Sequence, residues 1–310
     1  MTDFKTANGT PVSTLTFGTM QFGGKADEAE SKAMYDAARA AGINHFDTAV
    51  LYTGGASEQI TGQLVAAERD DIFLATKVSY NGGADRKNML AHLDQSRGQL
   101  KTDSVDLMYI HRFDDATPLE ETFSTLAEWQ STGMIRHIGV SNFAAWQVMK
   151  AQAVAQSFGT RIDATQPMFN LVKRQAEVEL FPMATDQDIS VIPYSPLGGG
   201  LLTGKYAAGE TGRLTEDARY AARYNVDWMR DCAVGLSALA AEWGMHPATL
   251  AIAWVAAHPA KVSPIISASS LAQLGPSLAA TDVQLTEAQY AAVTALSQTP
   301  APATDRLEEA

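Results

Sequence analysis

"INHFDTAVLYTGGASEQITGQLVAAERDDIFLATK", residues 43–77, holds the unit on which the fold turns. A short apolar run ends at Asp47, and a glycine-bearing loop follows with Tyr52 in it. The helix-like stretch "SEQITGQLVAAE" comes next, and "DIFLATK" then reads as a buried strand ending in Lys77. Strand, helix, strand is the unit of a parallel sheet, because parallel neighbours need a long crossover between them. The unit recurs on both sides. Upstream, "TLTFGTM" reads as a strand and "DEAESKAMYDAARAAG" as a helix stopped by Gly42. Downstream come helix "DRKNMLAHLDQSRGQL", strand "SVDLMYIH" and helix "PLEETFSTLAEWQSTG", whose Pro118 suits a first turn. Strand "IRHIGVSN", helix "AAWQVMKAQAVAQS", strand "IDATQP", helix "QAEVELFPMATDQD" and strand "ISVIPYSP" continue the rhythm.

A glycine-rich connection, "LGGGLLTGKYAAGETGRLTEDARYAARYN", then interrupts it. Helices are expected around 227–243 and 247–258, then a last strand "KVSPIIS", helix "SLAQLGPSLAA" and a terminal helix near 286–298. At the start, "FKTANGTPVSTL" reads as a small hairpin around Asn8-Gly9. About eight strands, each followed by a helix, predict an α/β fold of the (β/α)8 TIM-barrel type. The expected whole is a single domain over residues 1–310 with an N-terminal β-hairpin, extra C-terminal helices and a poorly ordered tail at 299–310. The competing architecture, an open doubly wound sheet binding a dinucleotide, would carry G-x-G-x-x-G after its first strand. "FGTMQFGG" does not match it.

Composition narrows the function. With 23 Lys and Arg against 35 Asp and Glu, the net charge of −12 argues against a nucleic-acid partner. A small anionic ligand needs only a local cluster of donors. The polar start "MTDFKTANGT" lacks an apolar signal core, and no apolar run approaches bilayer length, so a cytoplasmic protein with no membrane partner is expected. Cys232 is the only cysteine, which rules out an internal disulfide and a cysteine-based metal cluster.

In a barrel of this kind chemistry gathers where the strands end. The second strand ends in Asp47 with Tyr52 beyond, the third in Thr76-Lys77, the fourth in His111 and the fifth in Ser141-Asn142. Gln166 ends the sixth, and Tyr194-Ser195-Pro196 the seventh. Taken singly, a strand-end lysine is a solvated charge and a strand-end histidine a packing residue. Together their roles interlock. A phenol titrates near 10, a neighbouring ammonium favours the phenolate, and a buried ammonium needs a carboxylate. Lys77 and Asp47 fill those positions, leaving Tyr52 as general acid or base, and a neutral His111 can orient a carbonyl oxygen. No strand-end metal-ligand cluster is visible, so the remaining chemistry must come from a cofactor.

These motifs resemble the aldo-keto reductase family along nearly the whole chain. "FDTAVLYTGGASE" is similar to its "FDTAxxYGxxE", and "IFLATKV" to its lysine strand. "DLMYIHRFDDATPLEET" is similar to its histidine strand, with "IRHIGVSNF", "DATQPMFNLVKR" and "VIPYSPLGGGLLTGKY" following in family order. The resemblance implies that Asp47, Tyr52, Lys77 and His111 form a catalytic tetrad for hydride transfer between nicotinamide and a carbonyl carbon. It implies that Tyr194 stacks on the nicotinamide, that Ser141, Asn142 and Gln166 hold its carboxamide, and that Gly18, Thr19 and Met20 lie close by, with Asp47 also near. It further assigns Ser195, Pro196, Leu197, Gly199, Gly200, Leu201 and Lys205 to the pyrophosphate loop. In "SASSLAQLGPS", Ser267, Ser269 and Gln273 would meet the adenosine, although serine stands where the family often has a basic residue. Arg213 then becomes the candidate partner of a 2′-phosphate, with Lys205 in support, which makes NADPH the expected cofactor with NADH possible.

The expected partner is a small carbonyl or alcohol. Sequence leaves open the physiological substrate, the direction and the oligomeric state. An NAD-dependent sugar or alcohol dehydrogenase is one alternative. A nucleotide-sensing regulatory subunit, resembling the potassium-channel β-subunit branch, is another. Met20, Phe22, Leu51, Tyr80, Phe113 and Trp228 are candidate pocket walls.

Overall fold

The structure, a computed structural model, describes residues 3–206, 209–306 and 308. Its centre is a sheet of eight parallel strands in the order β7-β6-β5-β4-β3-β2-β1-β8. The strands are β1 (Thr16–Gly18), β2 (His45–Asp47), β3 (Phe73–Val78), β4 (Val105–Ile110), β5 (Ile135–Ser141), β6 (Ala164–Gln166), β7 (Ser190–Val191) and β8 (Ile265–Ile266). Beyond β7, Ile192 N and Tyr194 N still donate across to Thr165 O and Pro167 O, but Pro167 has no N–H to give back, so the regular ladder stops after two residues. The sheet nevertheless closes on itself. Ser263 N donates to Val191 O and Ile265 N to Pro193 O, both at 2.9 Å, joining the last strand to the seventh. The expected barrel is thus formed, and most strand residues are buried on both faces, as a parallel sheet requires.

Crossover helices wrap it: α1 (Glu28–Ala40), α2 (Ala56–Val65), α3 (Arg86–Leu100), α4 (Leu119–Ser131), α5 (Ala145–Ser157) and α6 (Leu180–Asp186). Asp27 caps α1 by accepting from Glu30 N, and Asp85 caps α3 by accepting from Lys87 N and Asn88 N. Pro118 proves to be the N-cap of α4, one position before the first turn. The helix expected over "QAEVELFPMATDQD" divides into a 3-10 turn at Gln175–Glu177 and α6, which begins two residues before Pro182. That placement spares the helix interior, where proline would break a hydrogen bond.

The long connection after β7 contains a 3-10 segment, Gly198–Thr203, and two short helices, α7 (Arg213–Glu216) and α8 (Ala218–Tyr224). Residues 207 and 208 of it lie outside the described residues. α9 (Asp227–Glu242), α10 (Pro247–Ala256), α11 (Leu271–Leu278) and α12 (Glu287–Thr294) complete the chain. The expected tail beyond 299 carries neither α-helix nor strand among its described residues, and 307, 309 and 310 lie outside them.

The N-terminal hairpin is reduced to one antiparallel bridge, Lys5 with Pro11, around the Asn8-Gly9 turn. It closes the barrel from below. Phe4 lies 5.0 Å from the Phe73 ring and 4.8 Å from the His137 ring, at the start of the strands. With the lower end sealed, the strand ends of the opposite face are left to form a mouth.

Candidate active site

Asp47 and Lys77 meet inside the wall of that mouth. Both are buried, Lys77 completely. The Lys77 ammonium donates to an Asp47 carboxylate oxygen and, at 2.6 Å, to the Thr48 carbonyl. Gln166 Nε2 donates to the other Asp47 oxygen at 2.9 Å. Burial works against the Lys77 charge, but Asp47 and Tyr52 outweigh it and hold the ammonium above its usual range. Such a pair tolerates a dry site because each charge has its partner and its remaining hydrogen bonds.

Tyr52 is brought to this pair by the loop after β2, where Thr53 and Gly54 adopt left-handed backbone. Its ring lies 5.0 Å from Lys77 Nζ and 5.9 Å from the His111 ring. The net direction for the phenol is upward: burial raises it, Lys77 opposes, and burial wins. The ammonium therefore acts in the sense expected from sequence without bringing the phenol below its ordinary value. Tyr52 stays protonated at neutral pH, the form of a proton donor.

His111 is 7% exposed and held at about 3, first by burial and then by the positive charges of Lys77 and Arg112. It is a neutral imidazole at neutral pH. Its Nδ1 is buried without a partner, so the tautomer with the proton on Nε2 leaves a donor at the mouth.

Asn142 ties three strand ends together from a left-handed conformation, φ 58°. Its Nδ2 donates to His111 O and Ser141 Oγ, and its Oδ1 accepts from Tyr194 OH at 2.7 Å. Ser141 Oγ in turn donates to Gln166 O. Ser141, Asn142, Gln166 and Tyr194 thus form one connected patch beside Asp47. The loop beyond Tyr194 turns through positive φ at Ser195, Gly198, Gly199 and Gly200, with the Gly198 and Gly200 amides donating to Ser195 O and Leu197 O at 3.0 Å; what it offers a phosphate is close approach to a backbone without side chains. Lys205 approaches it: a Cβ added to Gly200 would lie 3.7 Å from Lys205 Nζ. Arg213 sits over the Tyr220 ring at 5.3 Å. On the far side of β8, Ser269 Oγ donates to Gln273 Oε1, and Ser267 Oγ is buried without a partner. These groups fit a dinucleotide: a ring face, amide donors, a glycine cradle and cations.

Other expected residues have packing roles in the structure. Thr19 is fully buried and its hydroxyl pairs with Ser57, so its side chain does not reach the mouth. Gly18 has a packing reason of its own, since a Cβ there would lie 2.7 Å from Ile265 Cγ2. Leu201 is a core residue, leaving only its backbone for a ligand, and Pro196 is buried as well. Among the candidate pocket walls, Phe22 belongs to the core against Phe17, and Trp228 packs against that same core. Leu51 and Met20 stay partly exposed, as does Leu197. Phe113 packs edge-on to Phe143 and Trp146. Tyr80 sits at the mouth in a T-shaped contact with His111, ring centroids 4.9 Å apart.

Tyr109 was missed. It is fully buried beside Lys77 in the ladder, with Lys77 Nζ 5.8 Å from its ring, and Gly139 opposite makes room for it. Counting back two from His111 would have found it, because alternate strand residues share a face.

The chain matches the Aldo/keto reductase family over residues 14–298 and belongs to that family. It is 34% identical over 300 residues to a "Probable voltage-gated potassium channel subunit beta" of Arabidopsis thaliana, covering 89% of each chain. It is 33% identical over 297 residues to the "Uncharacterized oxidoreductase YrpG" of Bacillus subtilis, covering 89% of this chain and 90% of the other. An "L-glyceraldehyde 3-phosphate reductase" of Escherichia coli O157:H7 is 30% identical over 253 residues, covering 75% and 73%. Family and oxidoreductase relatives together make this an oxidoreductase of carbonyl chemistry. No helix among the described residues is long and apolar enough to cross a membrane.

Proposed function

We propose that the chain is an NAD(P)H-dependent carbonyl reductase with Tyr52 as its proton donor. The observation that carries this reading is the buried Lys77 ammonium, fixed between Asp47 and Thr48 O and 5.0 Å from the Tyr52 ring. A bound nicotinamide would supply the hydride. Everything else is asked of the protein. Tyr194, with Asn142 on its hydroxyl, offers the nicotinamide a ring face, and Ser141, Asn142 and Gln166 offer its carboxamide donors and acceptors. The glycines at 198–200 and Lys205 would hold the pyrophosphate, and Arg213 a 2′-phosphate, which favours NADPH over NADH. His111 Nε2–H orients the carbonyl oxygen, and Tyr52 gives that oxygen its proton as charge develops there. Lys77 stabilises the phenolate left behind.

The raised Tyr52 phenol favours reduction over the reverse dehydrogenase direction, which needs phenolate at the outset. A small carbonyl compound is the substrate class, as the name of the E. coli relative suggests. The test is turnover of an aromatic aldehyde with NADPH and with NADH, for wild type and Tyr52→Phe. The expected result is a loss of about 100-fold or more in kcat for the variant, the scale of a lost general acid. Unchanged turnover in Tyr52→Phe would overturn the assignment. Tight nucleotide binding with no turnover of any carbonyl would move the reading to a nucleotide-sensing subunit.

A further inference from the structure

Arginine pairing separates two sides of the mouth. Of the thirteen arginines in the chain, ten have a carboxylate within ion-pair distance among the described residues. The three without one are Arg112, Arg213 and Arg223. In a protein where acidic side chains outnumber basic ones by 35 to 23, an arginine without a carboxylate is the exception. All three rest on tyrosine rings instead: Arg112 on Tyr80 at 4.9 Å, Arg213 and Arg223 on Tyr220 at 5.3 and 5.5 Å. A ring face holds a guanidinium in place without neutralising it, which leaves its N–H fork for another anion.

Arg213 and Arg223 belong to the cofactor side. The Tyr220 ring they share lies against Gly199, where an added Cβ would come within 2.7 Å of it. Arg112 stands elsewhere. It follows His111 directly at the end of β4, and β4 lies across the closed barrel from β8. Its supporting ring, Tyr80, touches His111 edge-on, so the guanidinium is one aromatic ring away from the imidazole. No candidate cofactor residue sits on β3 or β4 apart from the tetrad itself. The positive charge here also reaches His111, where it helps keep the imidazole neutral.

We propose that Arg112, braced on Tyr80, binds an anionic group on the carbonyl substrate, so that the preferred substrates are aldehydes or ketones carrying a carboxylate or phosphate. This rests on the reductase reading above. Such a substrate would place its carbonyl oxygen between Tyr52 and His111 and its anion on the β4 side, away from the nucleotide phosphates. Arg112 is then a specificity residue; it takes no part in proton or hydride transfer.

The experiment compares matched pairs: 4-carboxybenzaldehyde with benzaldehyde, and glycolaldehyde phosphate with glycolaldehyde, for wild type, Arg112→Met and Arg112→Lys. Wild type is expected to prefer the anionic member of at least one pair by kcat/KM, and which pair shows it distinguishes carboxylate from phosphate. In Arg112→Met that preference should fall about tenfold, the lower range for a charge-assisted hydrogen bond because the residue is exposed. The fall should lie in KM, and Arg112→Lys should recover part of it. The Kd for NADPH should not move, which also shows the variant to be folded. A wild type indifferent to the anion, or a preference unchanged in Arg112→Met, would overturn the inference while leaving the reductase reading in place. Weakened NADPH binding in Arg112→Met would also overturn it, by making Arg112 a cofactor ligand. Absence of turnover with all four carbonyls would overturn the reductase reading and this inference with it.

Discussion

Lys77 is fully buried, and Asp47 is what keeps it charged. Replacing Asp47 by Asn leaves a buried ammonium facing only neutral groups, Thr48 O, Tyr52 and the new amide, with no counter-charge. The expected cost is about 3–5 kcal/mol of stability, as for a buried pair broken on one side. Adding Lys77→Met should return most of that stability and none of the turnover, because the charge that stabilises the phenolate is gone. Denaturant midpoints and kcat measured on the single and double variants check both halves. Glu58 is a second buried charge with a different balance. Burial raises its carboxyl to about 7, against the opposing influence of the Thr76 and Ser96 hydroxyls and of Lys77. An acid whose folded value lies above its ordinary 4.5 favours the fold fully below that value, and the contribution is lost as pH rises through 7. The loss amounts to about 3 kcal/mol at most. Urea midpoints from pH 4.5 to 8 should fall with pH in wild type and fall less in Glu58→Gln; parallel curves would refute it. Residues of this kind differ in how far sequence reveals them. Asp47, Lys77 and His111 were legible because each ends an apolar run, and Tyr52 because it follows Asp47 in a glycine-bearing loop. Arg112 was not, since whether an arginine has a carboxylate depends on contacts between distant segments.

Elements were legible where one pattern dominated. α1, α3 and α5 fall within a residue or two of their expected ranges; Asp27 and Asp85 cap the first two, and α5 is bounded by the loops that flank it. β7 and the α6 region were less so, as Pro167 on the neighbouring strand and Pro182 limit the regular structure there. One helix contact was invisible in sequence. Gly62 lies inside α2, where glycine costs up to about 1 kcal/mol relative to alanine. Its reason is α3: an added Cβ would stand 2.3 Å from Leu100 O and 2.7 Å from Leu100 Cα. Backbone cannot step aside as a side chain can. Gly62→Ala should therefore lose about 1–3 kcal/mol despite its better helix propensity, the usual penalty of overpacking. An alanine variant as stable as wild type would mean that α2 and α3 slide apart freely.

At the scale of the whole molecule, the barrel has one closed end and one working end, and the two are built from different parts of the chain. The alternation of strands and helices made the barrel legible, since few folds repeat that unit eight times. Closure of the lower end was not, because "FKTANGTPVSTL" reads as a surface hairpin and nothing in it says where its phenylalanine goes. In the structure Phe4 enters the barrel floor against Phe73 and His137, in a buried cluster that also holds Leu107, Tyr109 and Ile265. Asp47, Lys77 and Tyr52 sit at the other end of the strands. Removing the Phe4 ring should thus loosen the floor without disturbing the mouth. A Phe4→Ala change is expected to cost about 3 kcal/mol, the lower range for a buried phenylalanine. For a chain of 310 residues that corresponds to a Tm lowered by about 5 °C. Well below the transition, kcat and KM of the folded enzyme should match wild type. A variant that keeps its Tm would show that the hairpin merely rests on the barrel. One that loses turnover while still folded would show that the floor and the mouth are mechanically joined through the interior layer, where Tyr109 shares the buried cluster of Phe4 and has Lys77 Nζ 5.8 Å from its ring.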